Sequence, residues 1–235
     1  MKGSRVVVAY TRVDEMQSWQ LAQVSQAENM RADRFTAQRR KRQFLCGRVL
    51  LRMVLERFTG NPAESHELIS NGGGKLICIN GPAVSITHSG NSVACAVASS
   101  GEIGIDIEVP DRQRKTPEIA RNYFSAEEAQ WLETQPEDRF YMMWVLKEAY
   151  VKAIGCGLRG LDYLRCKIEP PRIEASAADG LLQGLGLYSI ENAFLGLAAR
   201  HTTLGSVAFE HWIKGRKEPI TSTEFQNLAT TYVLA

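Results

Sequence analysis

The stretch Gly104-Ile105-Asp106-Ile107-Glu108 is a predicted strand at the point where the chain divides into two halves with a similar order of predicted strands and helices. Its apolar residues alternate with two acidic ones, as in a strand, so Asp106 and Glu108 point to the same face. Before this stretch we predict a strand, a long helical segment and then short strands; after it we predict helices and again short strands. We therefore predict an α+β fold of two similar halves, residues 1–103 and 104–235, although the letters themselves show no repeat.

Hydrophobic periodicity and turn residues place the elements along the chain. Strands are predicted at residues 5–11, 76–79, 83–87, 93–98, 103–108, 165–168, 187–190, 194–198 and 206–212. Helices are predicted at residues 37–58, 117–123, 126–133 and 137–154. Gly155 should end the last helix in a left-handed cap. Residues 176–180 are predicted to form a loop, and we expect the polar tail after Gly215 to be loosely packed.

The composition is that of an ordinary globular protein, with 235 residues, 44% hydrophobic residues and a net charge of +2. Residues 39–42 are all basic, but no aromatic residues are interleaved with them, so we do not expect nucleic-acid binding. The five cysteines lack C-x-x-C spacing, which disfavours zinc and suits a reducing compartment. Residues 1–10 lack a signal-peptide pattern, and no apolar run reaches about 18 residues, so we expect a cytoplasmic protein outside the membrane.

The stretch Trp144-Val145-Leu146-Lys147-Glu148-Ala149-Tyr150-Val151-Lys152 is the second informative one. Lys147, Glu148 and Lys152 are the charged residues between positions 140 and 154, on a helix that is otherwise apolar and therefore buried. Glu148 and Lys152 lie within about 40° of each other around its axis. Buried charges are costly unless they meet a charged partner. Carboxylates suit a hard cation and lysines suit phosphate, so we predict metal-assisted chemistry on a phosphate or pyrophosphate.

Each stretch taken alone also has a simpler interpretation. Asp106 and Glu108 on a strand could face solvent or pair with basic side chains. Glu148 and Lys152 have the spacing of an ordinary i,i+4 ion pair on a helix. The combination of three carboxylates with two lysines, in two apolar stretches, favours the metal and phosphate site.

With these motifs in place, the chain resembles the surfactin-type (Sfp-like) class of 4′-phosphopantetheinyl transferases. Residues 104–108 match the family pattern G-[IV]-D-[IV]-E, and residues 144–155 match [FW]-x-x-K-E-[AS]-x-x-K-x-x-G. Residues 42–52 resemble the family's R-x-F-L-x-G-R-x-L-L-R helix, and residues 124–128 its F-S-x-x-E element. The resemblance runs in the family's order from about residue 31 to residue 157.

Two segments depart from the family pattern. Gly74-Lys75 resembles its G-K-P turn, but Leu76 stands in place of the proline. Residues 85–90 resemble its N-x-S-H-S-G segment, with Ser85 in place of Asn and Thr87 in place of Ser. Thr87 keeps the hydroxyl that the family uses near a phosphate, whereas the loss of Asn changes the local geometry.

The resemblance implies two halves related by a pseudo-twofold axis, with the active site in the cleft between them. It implies transfer of the phosphopantetheine arm of coenzyme A (CoA) to a serine of an apo acyl or peptidyl carrier protein, with release of adenosine 3′,5′-bisphosphate. Mg²⁺ or Mn²⁺ would be held by Asp106, Glu108 and Glu148. Glu148 would be the general base, and Lys152, Asp106 and His88 would complete the catalytic set.

The resemblance also implies a set of CoA ligands and a monomeric enzyme. CoA would be bound by the side chains of Arg31, Arg42, Lys75, Thr87, His88, Lys147 and Lys152. Simpler interpretations stay open for some of these residues, since His88 could be a core histidine and Lys75 an ordinary turn lysine. Arg48 and Arg52 are interpreted as solvated or structural. Two other functions also stay open: a degenerate CoA- or carrier-binding module without catalysis, and a metal-dependent phosphohydrolase.

Overall fold

The computed structural model describes residues 4–21, 24–213, 216–218 and 225–231. The strands are β1 Ser4–Arg12, β2 Leu68–Ser70, β3 Leu76–Cys78, β4 Ala83–Ser89, β5 Ser92–Ala98, β6 Glu102–Glu108, β7 Leu164–Glu169, β8 Arg172–Ala177, β9 Leu182–Ile190, β10 Ala193–Arg200, β11 Leu204–Ile213, β12 Arg216–Glu218 and β13 Phe225–Thr231. The α-helices are α1 Ser18–Leu21, α2 Gln26–Ala32, α3 Gln38–Thr59, α4 Thr116–Tyr123, α5 Ala126–Leu132 and α6 Asp138–Ile154. The predicted α+β class is confirmed.

Two larger sheets organise the molecule. The first has the strand order β12-β11-β1-β5-β4, and the second has the order β13-β9-β10-β6. Strand β1 pairs antiparallel with β5 and parallel with β11, where Ser4 lies opposite Leu204. Two-stranded sheets, β2-β3 and β7-β8, flank them.

The predicted boundary after residue 103 does not separate the two sheets. Strands β11 and β12 follow that boundary in sequence, yet they join β1 in the first sheet. The described residues after Gly215 form two strands that the sequence did not predict, because β12 pairs with β11 and β13 pairs with β9. Residues 214–215, 219–224 and 232–235 of this region lie outside the described residues.

The elements stack as helix, sheet, sheet and helix. One face of the first sheet packs on α3, through a core that includes Val49, Leu50 and Val97. The opposite face meets the second sheet, where alternate residues of β1 and β6 such as Val8 and Ile105 are buried together. The far face of the second sheet packs on α6. The period-two alternation of the strands therefore sends Asp106 and Glu108 toward α6.

Helix α6 lies very close to the second sheet because two glycines face it. A Cβ on Gly104 would lie 1.9 Å from the carbonyl oxygen of Ala149, and one on Gly196 would lie 2.3 Å from that of Val145. Gly155 ends the helix with a φ of +77°, and its N–H donates to the carbonyl of Val151, as predicted for a left-handed cap. This close packing brings the charged side of α6 against β6.

The edge strands β4 and β6 of the two sheets are joined by side chains. The hydroxyls of Ser85, Thr87 and Ser89 accept hydrogen bonds from the backbone N–H groups of Ile105, Ile107 and Val109, at 3.2, 3.2 and 3.1 Å. We call these three hydroxyl residues the hydroxyl ladder. Within the described chain, no helix has both the length and the apolar character that crossing a bilayer requires.

Candidate active site

Asp106, in the middle of β6, is buried with one oxygen bound and one free. Its Oδ1 accepts hydrogen bonds from the Lys152 ammonium at 2.6 Å and the Thr87 hydroxyl at 2.9 Å. Its Oδ2 is buried and has no hydrogen-bond partner among the described residues. A buried carboxylate oxygen without a donor is costly, so Asp106 is poised to bind a further positive group.

Glu108 lies two residues further along the same face. It accepts a hydrogen bond from the Ser89 hydroxyl at 2.9 Å and forms an ion pair with Arg114 at 3.2 Å. The guanidinium of Arg114 lies 4.7 Å from the ring centre of Trp144 on α6. Burial, and then the negative charge of Asp106, raise the pKa of Glu108, so the two carboxylates repel each other.

Glu148 brings a third carboxylate from α6. Its pKa is raised to about 7, first by burial and then by the charge of Asp106, while Lys152 acts in the opposite direction. The ordinary i,i+4 interpretation is not what the structure shows, because Lys152 pairs with Asp106 and Thr87 rather than with Glu148. A carboxyl group with a pKa near neutrality can accept and release protons at physiological pH.

These three carboxylates supply the donors that an oxygen-preferring cation needs. The free Oδ2 of Asp106 and the mutual repulsion with Glu108 and Glu148 fit such a cation. The cluster is not assembled in advance, since no three His, Cys, Asp or Glu side chains in the described ranges stand close enough to hold a metal ion. In the metal-free protein, Lys152 is the positive partner of Asp106 and Arg114 is that of Glu108.

A pocket of about 350 Å³ opens beside this cluster, and both predicted halves line it. Glu148 and Lys152 approach it from α6, whereas the other charged or titratable side chains come from the N-terminal half. Those side chains are Arg31, Arg48, Lys75 and His88. The excess of basic groups suits an anionic ligand.

His88 faces the pocket as a neutral imidazole. Burial lowers its pKa, and the charges of Arg40 and Lys152 lower it further. Arg40 lies 3.4 Å from Nδ1, and since arginine only donates, Nδ1 is the acceptor and Nε2 carries the proton. His88 can therefore donate a hydrogen bond without adding charge.

Lys75 lies on the wall of the pocket, but its ammonium is already engaged. It forms an ion pair with Glu102 at 2.6 Å and donates to the carbonyl of Ala153 near the end of α6. Arg31 is placed more openly: it is exposed, donates to Ser70 at 3.0 Å and lies over the ring of Phe44. An anion that recruits Lys75 must compete with Glu102.

Arg48 is the pocket residue that the sequence interpretation missed. It is neither solvated nor fully paired: it is buried, and its nearest carboxylate oxygen, on Glu28, is 3.8 Å away. Its NH1 nitrogen makes no hydrogen bond within the described part of the chain. Burial lowers its pKa to about 10. Arg52, one turn later, is structural as interpreted, because it binds Glu28 at 2.9 Å.

The predicted phosphate contact of Lys147 is wrong. Its side chain is fully buried on a different side of α6, where it binds Glu128 at 2.9 Å and the carbonyl of Leu161 at 3.1 Å, and also the carbonyl of Leu164. Successive helical residues are rotated by 100°, so Lys147 cannot share the face of its neighbour Glu148. The ammonium holds the following loop to the helix.

Two further ligand predictions need correction. The exposed Arg42 turns away from the pocket and donates to the carbonyl of Met16 at 3.3 Å. Thr87 is buried, and its hydroxyl is committed to Asp106, Lys152 and the N–H of Ile107 rather than directed into the pocket. The other predicted site residues lie at the pocket or at the carboxylate cluster beside it.

Comparisons with known proteins find sequence similarity to 4′-phosphopantetheinyl transferases. Residues 102–190 match the profile of the 4′-phosphopantetheinyl transferase superfamily. The chain is 29% identical over 174 residues to the 4′-phosphopantetheinyl transferase HetI of Nostoc, a match that covers 69% of this chain and 73% of HetI.

Two relatives from Bacillus species are more similar over shorter regions. The 4′-phosphopantetheinyl transferase psf-1 of Bacillus pumilus is 33% identical, over 57% of this chain and 59% of its own length. A 4′-phosphopantetheinyl transferase of Bacillus subtilis is 42% identical, over 31% of this chain and 33% of its own length. The profile match spans β6 and α6, so the similarity to 4′-phosphopantetheinyl transferases includes the two elements that carry Asp106, Glu108, Glu148 and Lys152.

Proposed function

We propose that this protein transfers the 4′-phosphopantetheine arm of CoA to a serine of an apo acyl or peptidyl carrier protein, and releases adenosine 3′,5′-bisphosphate. The observation that carries the proposal is the position of Glu148. Its carboxyl group lines a basic pocket, and burial together with the charge of Asp106 raises its pKa to about 7. The Bacillus relatives favour the surfactin-type subclass.

Glu148 acts as the general base in this proposal. The raised pKa of Glu148 in the metal-free protein makes it a stronger proton acceptor than an ordinary carboxylate, which suits the removal of a proton from the serine hydroxyl of the carrier. Lys152 stabilises or protonates the departing phosphate, because its partly exposed ammonium reaches the pocket from α6. His88 donates a hydrogen bond from Nε2 to a phosphate oxygen.

The residues that would hold a divalent ion are Asp106, Glu108 and Glu148. When bound, Mg²⁺ or Mn²⁺ supplies positive charge against the pyrophosphate and the departing bisphosphate. A bound ion would replace Lys152 and Arg114 as the positive partner of Asp106 and Glu108. Lys152 would then be free to contact the substrate.

The other anionic end of CoA is assigned to the N-terminal half. Arg31 and Arg48 line the pocket there, and the NH1 nitrogen of Arg48 makes no hydrogen bond with the residues that the structure describes. Lys75 joins them if its ion pair with Glu102 opens. Charge-assisted hydrogen bonds from arginine to phosphate are strong and directional, so these side chains favour CoA over dephospho-CoA.

We propose that the enzyme acts as a cytoplasmic monomer without nucleic-acid or membrane partners. Both walls of the pocket come from one chain, so no second copy is needed to complete it. All five cysteines lie within the described ranges and are free thiols, which suits a reducing compartment.

The test is incubation with CoA, Mg²⁺ and a panel of apo carrier proteins, followed by intact-mass measurement of each carrier. We expect one carrier to gain the phosphopantetheine mass, and we expect EDTA to prevent the gain. A carrier with its acceptor serine changed to alanine is the matched control. Hydrolysis of CoA without any carrier modification would instead indicate a phosphohydrolase, and CoA binding without a product would indicate a non-catalytic module.

A further inference from the structure

The hydroxyl ladder does more than join two edge strands. A hydroxyl that accepts a backbone N–H still has its own hydrogen to donate. Thr87 accepts from the N–H of Ile107 and donates to the carboxylate of Asp106, the residue before it. Ser89 accepts from the N–H of Val109 and donates to the carboxylate of Glu108, again the residue before. Both donor distances are 2.9 Å.

Ser85 occupies the same place one step earlier, but without a carboxylate. Its hydroxyl accepts from the N–H of Ile105 at 3.2 Å, and the residue before Ile105 is Gly104. The three positions thus repeat one geometry with a spacing of two residues, because alternate residues of a strand share a face. Two of the three positions carry an acidic partner, and the third provides a natural comparison.

Each ladder hydroxyl limits how its carboxylate can rotate. With Oδ1 held by Thr87 and Lys152, Asp106 keeps Oδ2 unpartnered within the described residues. Glu108 is held by Ser89 through Oε2, and its Oε1 faces Arg114. Each side chain therefore has one oxygen bound by the ladder and one directed elsewhere.

We propose that Thr87 and Ser89 are positioning residues that orient Asp106 and Glu108 for a divalent cation. This inference rests on the proposed function, because it concerns the cation that the proposal requires. Hydrogen-bond partners of metal-binding carboxylates fix their orientation, and their loss typically lowers metal affinity about 10- to 100-fold. In this role the β4 hydroxyls act on the reaction through the carboxylates that they hold.

The experiment measures Mn²⁺ binding to the whole chain in the presence of CoA, by electron paramagnetic resonance of free Mn²⁺. Thr87→Val keeps the shape of the side chain and removes its hydroxyl, and Ser89→Ala does the same at the second position. We expect each to weaken Mn²⁺ binding about 10- to 100-fold. The conservative variants Thr87→Ser and Ser89→Thr retain the hydroxyl and should bind Mn²⁺ within about threefold of the wild type.

Ser85→Ala is the matched control for the bond to β6, because it removes that bond without touching a carboxylate. Ser85 also lines the pocket, so CoA is kept at a saturating concentration in every measurement. We expect it to lower the melting temperature about as much as Ser89→Ala does, while Mn²⁺ affinity stays within about twofold of the wild type. Equal losses of affinity in all three variants would overturn the positioning role and leave the proposed function intact. If the wild type binds no Mn²⁺, both proposals fail. If Thr87→Val does not fold, the partly exposed Ser89 decides the question alone.

Discussion

Replacing Lys147 with methionine distinguishes a structural lysine from a ligand-binding one. Methionine keeps the apolar stem, so the change removes mainly the ammonium. Glu128 then stays buried without its counter-ion, a situation that costs about 3–5 kcal/mol. Glu128 keeps its hydrogen bonds from the N–H groups of Ser125 and Cys166, at 3.0 and 2.9 Å, so we expect the lower end, about 3 kcal/mol.

A chain of this size loses roughly 2–4 °C in melting temperature per kcal/mol. We therefore expect Lys147→Met to melt about 6–12 °C below the wild type. The double variant Lys147→Met with Glu128→Gln should recover part of this loss, because no buried charge is left unpaired. Lys167→Met changes an exposed lysine in an ion pair with Glu169, and should leave the melting temperature almost unchanged.

The assay combines urea unfolding with steady-state transfer to a carrier at a temperature where the variant is folded. The KM for CoA should stay within about twofold of the wild type, because Lys147 lies outside the pocket. If Lys147→Met instead melts within about 2 °C of the wild type and raises the KM for CoA by tenfold or more, Lys147 contacts the substrate and the structural assignment is refuted.

Three other predictions follow from the site and the core. Glu148 has a pKa raised from 4.5 to about 7, so the folded metal-free protein favours the protonated carboxyl group. Its contribution to the free energy of unfolding is fully present below pH 4.5 and is lost as the pH rises through 7. The free energy of unfolding of Glu148→Gln, relative to that of the wild type, should thus rise by roughly 3 kcal/mol between pH 4 and pH 8. Urea unfolding in EDTA measures this difference, and a difference that stays constant with pH would contradict the raised pKa. Gly196→Ala forces a Cβ against α6 and should cost about 1–3 kcal/mol or more in urea unfolding, whereas Gly72→Ala, with open space around it, should cost under about 1 kcal/mol. Cys156 is the exposed thiol among five cysteines, so a thiol reagent should modify one cysteine quickly in the native protein and all five in denaturant.

Local patterns predicted the long elements well. Periodicity placed α3 at 37–58 and α6 at 137–154, each within one residue of its observed ends. The predicted loop at 176–180 overlaps the end of β8, because Ala175-Ser176-Ala177 has little β-forming character. The pairing of β1 with β11 could not be predicted, since nothing in either strand identifies a partner so distant in sequence.

Helical geometry explains which of the predicted site residues on α6 reach the pocket. Glu148 and Lys152 are about 40° apart on α6, and both reach the pocket, whereas Lys147 is about 140° from Lys152 and points elsewhere. Arg48 stands in a run of buried residues on α3. A charge on a buried helix needs a charged partner, and this argument applies to Arg48 as well. It would have marked Arg48 as a candidate ligand from the sequence.

The parallel pairing of β1 with β11 has a consequence for how the chain is made. Strand β1 is synthesised long before β11, so one of its two edges stays unpaired until residues 204–213 have left the ribosome. An unpaired edge with Val6, Val7 and Val8 on it is a template for aggregation, and contacts between distant segments slow folding. A chain that stops before residue 204 would therefore not be a smaller enzyme: it would present an open, valine-rich edge and depend on chaperones to stay in solution.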